Sequence, residues 1–412
     1  MALVYSVADT PSGHLEISLY VEYGTGTIYC YQAEISPVSC GNDDDSDLAM
    51  MLNKVDVRLH IPENDTEFLN IAESIYQNPT LLQIDLDGNT IFYGYVENMS
   101  LNVNTLQKVI KFGAFDAAQI LKDIDPTTNP LSYSLPELIS LEQLITDALF
   151  TTNTKITFGG IYTTVEGKVE VDSVLYEGLL FENFYVFNTL YYDTDCFYTS
   201  LLTMLKDLLL NYNLVGYVNL YREFKAVPRS HSAIPVTAIQ KQDIREMSDY
   251  SFIEPIDAMS AKLWTGVTPQ TTPANWVDIA YGDPDSENIE NLRFAQPGGQ
   301  WPVSPGGINS VWLKVPDLGT IEPIDASVES FRLKRLDDTY TDYKYLYALV
   351  YESAYETISL TRKKIKVVLS GIREGYYWSL PFFPNDVFRS GKIEWDIMNN
   401  QTILYLRKIA ED

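Results

Sequence analysis

Between Leu81 and Leu121 the chain alternates with the regularity that antiparallel strands require. Leu82, Ile84 and Leu86 are separated by Gln83 and Asp85, a period of two that turns one strand face to a core and the other to water. Asp87-Gly88 follows, and glycine there supplies the positive φ of a tight hairpin turn. The return strand sets Ile91, Tyr93 and Tyr95 against Phe92, Gly94 and Val96. Leu101/Val103 and Lys108/Ile110/Phe112 carry the pattern on, and Phe115 to Leu121 switches to helical spacing. A compact antiparallel sheet closed by a short helix is predicted.

The same alternation occurs upstream. Leu15–Val21 and Thr27–Tyr31 read as two strands joined through Tyr23-Gly24-Thr25-Gly26, and Val55–Ile61 as another. A short helix is predicted next. Asn64 caps it, Asp65 and Glu67 complement its dipole, and Phe68, Leu69, Ala72 and Ile75 form one face before Asn78-Pro79 ends it. Residues 1–115 thus predict a small β-barrel with helical plugs.

Further on, Pro126, Asn129 and Pro130 mark a linker, and Ser140-Leu141-Glu142-Gln143 is a capping box. The helix it starts has Leu141, Leu144, Ile145, Ala148 and Leu149 as apolar positions, and Val-, Tyr- and Phe-rich strand segments fill 155–192. Cys196–Asn213 is the longest predicted helix, with Phe197, Leu201, Leu202, Leu205, Leu208 and Leu209 in a broad stripe. Tyr217–Phe224 reads as a strand. Trp264 to Pro316 holds four of the six tryptophans (Trp264, Trp276, Trp301, Trp312) with seven prolines and six glycines, the mark of long turns around a small aromatic core. Ile-Glu-Pro-Ile-Asp-Ala occurs at Ile253–Ala258 and again at Ile321–Ala326, bracketing that segment. Tyr345–Tyr351, Lys364–Leu369 and a last pair within Val387–Ile409, turning at Asn399-Asn400, complete a second β-rich unit.

A length of 412 residues allows about two to four domains. The 29 tyrosines suit half-buried strands and also subunit contacts. The net charge of −27 is uneven: the first 330 residues hold 45 acids against 16 bases, whereas Phe331–Asp412 holds 11 against 13. Such a chain repels nucleic acid, whose capture needs clustered Lys and Arg. Cys30, Cys40 and Cys196 form no CxxC pair, and free thiols are expected. The start Met1-Ala2-Leu3-Val4-Tyr5 lacks a signal-peptide pattern, and no apolar run reaches the roughly 18 residues of a membrane span. Folding in a cytoplasm is expected.

Catalytic, cofactor-binding and metal-ligating sets are expected to be absent. His14, His60 and His231 are scattered, and the acidic loop Asp43–Asp47 lacks the glycine and distal glutamate of a calcium loop. Pro297-Gly298-Gly299 and Pro305-Gly306-Gly307 read as turns, since no helix start follows them. Asp193/Asp195 would serve a glycosidase, but acid pairs arise freely among 56 acids. Arg362-Lys363-Lys364-Ile365-Lys366 alternates on a strand, facing either an acidic neighbour or solvent at a sheet edge.

Thr90–Val96, then Lys111-Phe112-Gly113-Ala114-Phe115-Asp116 and a helix, resemble the tail or baseplate hub proteins of tailed bacteriophages, whose fold is shared with hubs of contractile injection systems. The helix at Thr199–Leu210, Tyr217–Phe224 and Val227-Pro228 resemble that family's middle region. The resemblance implies a mainly β fold with α/β additions: two small tube-type barrels, intervening α+β domains and the Trp/Pro/Gly-rich insertion. Residues 1–115 would form the first tube barrel and 116–216 the α+β middle domain. The second barrel would be built from 217–262 and 327–412, around the insertion at 263–326. It implies a homotrimer in the virion tail, assembled in the host cytoplasm and binding no membrane. Three chains would present six barrels to a hexameric tail tube or distal tail ring above. Tip, spike or fibre proteins would attach below, and viral DNA would slide through an acidic channel without specific binding. Stacking of Trp264, Trp276, Trp301 and Trp312 on sugars would instead mark a carbohydrate-binding adhesion module.

Overall fold

The computed structural model describes residues 1–41, 50–124, 138–140, 145–149, 152–161, 168–171, 174–177, 185–187, 200–211, 214–228, 236–248, 251–252, 258–264, 276–282, 289–292 and 363–408. Outside them lie Asp43–Asp47, Pro126–Pro130, Leu141–Leu144, Asp193–Phe197, His231, Trp301, Trp312, both Pro-Gly-Gly turns and Tyr345–Tyr351. Of the two hexapeptides, only Ala258 is described.

The chain is mainly β with α/β additions. Its first part contains β1 (Ala2–Thr10), β2 (Gly13–Val21), β3 (Gly26–Tyr29), β4 (Gln32–Ile35), β5 (Val38–Gly41), β6 (Met50–Met51) and β7 (Asn53–His60). Helix α1 (Asp65–Gln77), β8 (Leu81–Leu86), β9 (Asn89–Val96), β10 (Asn102–Asn104) and β11 (Val109–Asp116) follow. The middle holds β12 (Leu138–Ser140), β13 (Thr157–Ile161), β14 (Lys168–Val171), β15 (Val174–Glu177), β16 (Tyr185–Phe187), α2 (Leu201–Asn211), β17 (Leu214–Val218) and β18 (Glu223–Pro228). Then come β19 (Thr237–Ala238), β20 (Ile244–Met247), β21 (Ser251–Phe252), β22 (Ala258–Trp264), β23 (Trp276–Gly282) and β24 (Ile289–Leu292). The last strands are β25 (Lys363–Ser370), β26 (Tyr377–Leu380), β27 (Phe383–Asp396) and β28 (Gln401–Lys408).

The β8–β9 hairpin turns at Asp87 and Gly88, both at positive φ (50° and 79°), as its sequence demands. β2 pairs with β1 on one edge and β8 on the other, and the order continues through β9, β11 and β7 to β4. The two strands joined through Tyr23-Gly24-Thr25-Gly26 do not pair with each other. Both edges of β2 are occupied, so β3 runs parallel to β1 instead. Cys30 N–H then donates to Tyr5 O and Tyr31 N–H to His60 O, both at 2.8 Å, as the chain crosses to β4 beside β7. The segment 26–35 thus bridges β1 and β7 and makes the first part barrel-like.

Leu15, Ile17, Leu19, Val57, Leu59, Ile84 and Phe112 fill its interior with Phe68, Ile71 and Ile75 of α1. Each such side chain contributes about 1.5–3 kcal/mol of burial. The buried apolar positions of α1 are Phe68, Ile71, Ala72 and Ile75, spaced i, i+3, i+4, i+7, with Ser74 buried beside them. Leu69 falls off that stripe and is exposed, correcting its assignment to the core face. Asn64 does cap α1, its side chain accepting from Glu67 N–H at 3.0 Å. Asn64→Ala should cost about 1 kcal/mol in a denaturant melt.

Three other expectations change. Ile91 to Gly94 are all buried: the β8–β9 register shifts between Ile84 and Asp85, so that Ile91 is an extra residue that joins Phe92 in the core, while Lys155 and Arg222 cover the outer Tyr93 ring (4.5 and 6.0 Å to its centroid). The described helix of the middle part starts only at Leu201, where Ser200 Oγ accepts from Thr203 N–H at 3.2 Å; its 11 residues are fewer than the 13 of α1. Tyr217–Phe224 is not one strand but the end of β17, a turn and the start of β18. Asn219 Oδ1 accepts from Glu223 N–H at 2.8 Å and Arg222 takes φ 63°, which reverses the chain. The expected boundary at 217 falls inside β17, and this hairpin pairs with β13 and β6.

In the C-terminal part β28 lies between β25 and β27, turning at Asn400 (φ 49°). β25 pairs with β20 and β21 on its other side, so its basic run does not lie on a free sheet edge. Trp264 and Trp276 are direct cross-strand partners of β22 and β23, beside β24. Among the described residues no helix is long and apolar enough to cross a membrane.

Candidate functional site

Two features distinguish the described surface and interior: the joint between the N- and C-terminal strands, and a polar groove beside it. The joint begins with β5. Val38, Ser39, Cys40 and Gly41 pair antiparallel with Trp395, Glu394, Ile393 and Lys392 of β27. Val38, Cys40, Ile393 and Trp395 are buried in one continuous core with Tyr217 and Tyr376. Gly41 has φ 88°, and a Cβ there would lie 2.3 Å from Gly391 O, so only glycine lets the two backbones approach.

The β17–β18 turn is held from both sides. Arg222 Nη1 and Nη2 donate to Asp116 Oδ2 and Oδ1 at 2.8 and 3.2 Å, and Nη2 also donates to Thr154 O at 2.6 Å. Arg222 is 2% exposed and Asp116 fully buried. The fork matches the carboxylate, which compensates two charges taken out of water. Asp116 Oδ1 also accepts from Ala118 N–H at 2.9 Å, opening the short 3-10 helix Ala117–Asp123. On the other side, Leu220 N–H donates to Glu374 Oε1 at 3.1 Å, and the Tyr217 and Tyr376 rings stack at 5.3 Å. Burial pushes the Glu374 carboxyl up to about 7. Lys225 holds the neighbouring Glu223 carboxyl below its usual range.

The groove runs over the outer face of β4, β7 and β11, in two adjoining parts of about 450 and 440 Å³ that share Ser36, Asp56 and Gly113. Lys54, Arg58, Lys111 and Lys122 line it with Glu34, Asp56 and Glu97. Arg58 pairs with Glu34 at 3.0 Å. Its serines serve the backbone. Ser36 Oγ accepts from Asp56 N–H and donates to Pro37 O, while Ser100 Oγ accepts from Gly113 N–H and donates to Glu97 O. Neither of these two hydroxyls is paired with a general base; Ser39 also lines the groove.

The two described histidines, His14 and His60, do not meet. His14 lies at the β1–β2 turn with Nδ1 2.9 Å from Asp9 Oδ1, and the hydrogen bond to Asp9 raises its pKa. His60 ends β7, edge-on to Tyr31 at 5.3 Å. Among the described residues no group of three or more His, Cys, Asp or Glu is arranged to hold a metal ion. Cys30 and Cys40 are free, as expected; burial pushes the Cys30 thiol up to about 12 and raises Cys40 as well, which makes both poor nucleophiles. Asp116 and Arg222 enter the sequence pattern only as members of strand-like segments, and Glu374 not at all; none of the three stands out as a site residue. The available signal was Asn219 before an Arg-Glu pair, a turn former amid aromatics.

No family model and no curated protein matches this chain. Among solved structures it is similar to the 43 kDa tail protein of prophage MuSo2 from Shewanella oneidensis, with TM-score 0.45 and 9% identity over 95% of this chain and 97% of that one. It is also similar to a tail protein from Neisseria meningitidis MC58, with TM-score 0.42 and 10% identity over 96% of each chain.

Proposed function

We propose that this chain is a structural protein of a phage tail, a trimeric hub that joins a sixfold tube or distal ring to a threefold tip. The carrying observation is the β5–β27 ladder, which fixes a barrel-like N-terminal unit and a C-terminal sheet to one another by main-chain hydrogen bonds. A subunit that presents two rigid β units in this way can supply six from three copies. In this reading residues 1–115 are one tube unit, and β19–β21 with β25–β28 supply the other, apart from the separate sheet β22–β24. The mixed-charge groove over β4, β7 and β11 meets a neighbouring tail protein. The excess of 45 acids over 16 bases in the first 330 residues keeps DNA from adhering as it passes. No catalysis is assigned to it.

Light scattering on the purified chain should give three times 46.8 kDa. Images of intact particles should place it at a threefold ring in the tail. A stable monomer that is absent from particles would overturn the reading.

A further inference from the structure

We infer that the outer face of β1, β2 and β8 docks onto the outer face of β25, β27 and β28 of a second copy, acid against base. Given the reading of this chain as a tail trimer, on which this rests, these are the surfaces through which its copies meet. Strand register sets up the first face. Glu16 stands directly across from Asp85, on strands whose Leu15, Ile17, Leu82 and Ile84 fill the core side. Like charges so placed repel one another. Asp9 and Asp87 extend the patch at the two turns, each bonded to His14: Asp9 Oδ1 lies 2.9 Å from its Nδ1, and Asp87 Oδ1 accepts from its N–H at 2.8 Å. Tyr5 OH donates to Glu16 Oε2 at 2.8 Å, and Gln83 Nε2 donates to both Asp85 oxygens. Among the described residues no Lys or Arg pairs with Glu16 or Asp85, since Lys155 donates to Gln83 Oε1 instead, at 2.8 Å.

The C-terminal sheet presents the converse pattern. Lys364 stands across from Arg407, and Arg407 across from Arg389, so one row over three strands is wholly cationic. In the next row Lys366 and Lys392 flank Tyr405, 5.5 and 5.2 Å from its ring centroid. Ile365, Ile393, Leu404 and Leu406 fill the core side of the same strands. Arg389 and Arg407 are buried, whereas Lys364, Lys366 and Lys392 are only half-buried. The register places two acids on this face: Glu394, which pairs with Lys392 at 2.6 Å, and Glu246 at its β20 border.

Within one copy no ion pair between described residues joins the two faces, although Ser12 Oγ at the β1–β2 turn donates to Ile397 O at 2.7 Å. Each face carries the charge that the other lacks, so contact relieves the repulsion within both. The balance along the chain agrees, with 45 acids against 16 bases in the first 330 residues and 13 bases against 11 acids in Phe331–Asp412. Val7, across from Glu16, and Tyr29, edge-on to Tyr5, are 46% and 68% exposed and add apolar area to the first face. Two different patches on one molecule make a head-to-tail contact, in which every copy gives one face and receives the other. Such contacts close into rings.

Sedimentation equilibrium of the full chain is the test, with circular dichroism to verify that each variant folds. Glu16→Lys with Asp85→Lys, and separately Lys366→Glu with Lys392→Glu, should each weaken self-association by about a hundredfold or more. The chain carrying all four reversals should regain it, because a basic N-terminal face then meets an acidic C-terminal one. Self-association of the unaltered chain should weaken by about tenfold or more as salt rises from about 0.1 to about 1 M, a measurement that needs no variant to fold. A three-copy mass retained by both reversed pairs, folded four-reversal chains that stay apart, or association indifferent to salt overturns this interface and leaves the trimer standing. An unaltered chain that stays single at every concentration removes the trimer itself and the interface with it.

Discussion

Arg222→Met should lower the unfolding free energy by about 3–5 kcal/mol, measured from the denaturant midpoint at neutral pH. The side chain removed is 2% exposed, and its partner Asp116 is fully buried. Methionine fills much of the volume but leaves a carboxylate without its countercharge and the Thr154 carbonyl without its 2.6 Å donor. Asp116 keeps the hydrogen bond that it accepts from Ala118 N–H. Asp116→Asn combined with Arg222→Met should recover part of the loss, because the amide still accepts from Ala118 while carrying no charge. A single-variant cost below about 1 kcal/mol, typical of an exposed pair, would falsify the assignment of this pair as the anchor of the turn.

Gly41→Ala is the second large effect. The added Cβ would sit 2.3 Å from the Gly391 carbonyl and 2.7 Å from Met51 Sδ, at a φ of 88° that side chains rarely adopt. The carbonyl belongs to the backbone of β27 and cannot rotate away as a side chain would. A cost of roughly 3 kcal/mol or more is expected, with the β5–β27 ladder as its seat. Gly88→Ala provides the comparison. Its φ is 79°, but nothing lies within 4 Å of the new atom, so only conformational strain of about 1–2 kcal/mol applies. Trp378 and Trp395 report on the C-terminal sheet, and the first 263 residues contain no tryptophan. Tryptophan fluorescence and far-ultraviolet circular dichroism should therefore melt together in the unaltered chain and separately in Gly41→Ala. Coincident curves in the variant would show that the ladder does not couple the two parts.

Local structure was largely legible from residue order. The period of two in β2, β7 and β8, the Asp87-Gly88 turn and the Asn64 cap all rest on interactions within a few residues, and each appears where the pattern predicts it. Errors arose where a distant partner decided the outcome. Ile91 to Gly94 lost their alternation because the pairing with β8 bulges at Ile91 and because Lys155 and Arg222 cover a Tyr93 ring that the segment alone would leave to solvent. β1 went unread because Leu3, Tyr5 and Val7 interleave apolar residues with the buried Ala2 and Val4, which blurs the alternation. At Tyr217–Phe224, aromatic and β-branched residues hid a turn set by Asn219 and by the positive φ of Arg222. The joint was the least visible part. Nothing in Val38-Ser39-Cys40-Gly41 names β27 as its partner, and Asp116 and Arg222 are 106 residues apart.

That ladder also has a timetable. β5 leaves the ribosome long before Lys392 to Trp395 do. At about 5–20 residues per second, the roughly 350 residues between them take about 20–70 s. Throughout that interval the nascent N-terminal sheet carries an unfilled strand slot, the kind of edge on which foreign chains assemble. Occupying that slot early, by a chaperone or a neighbouring subunit, would set the yield of the folded protein as much as its final stability does.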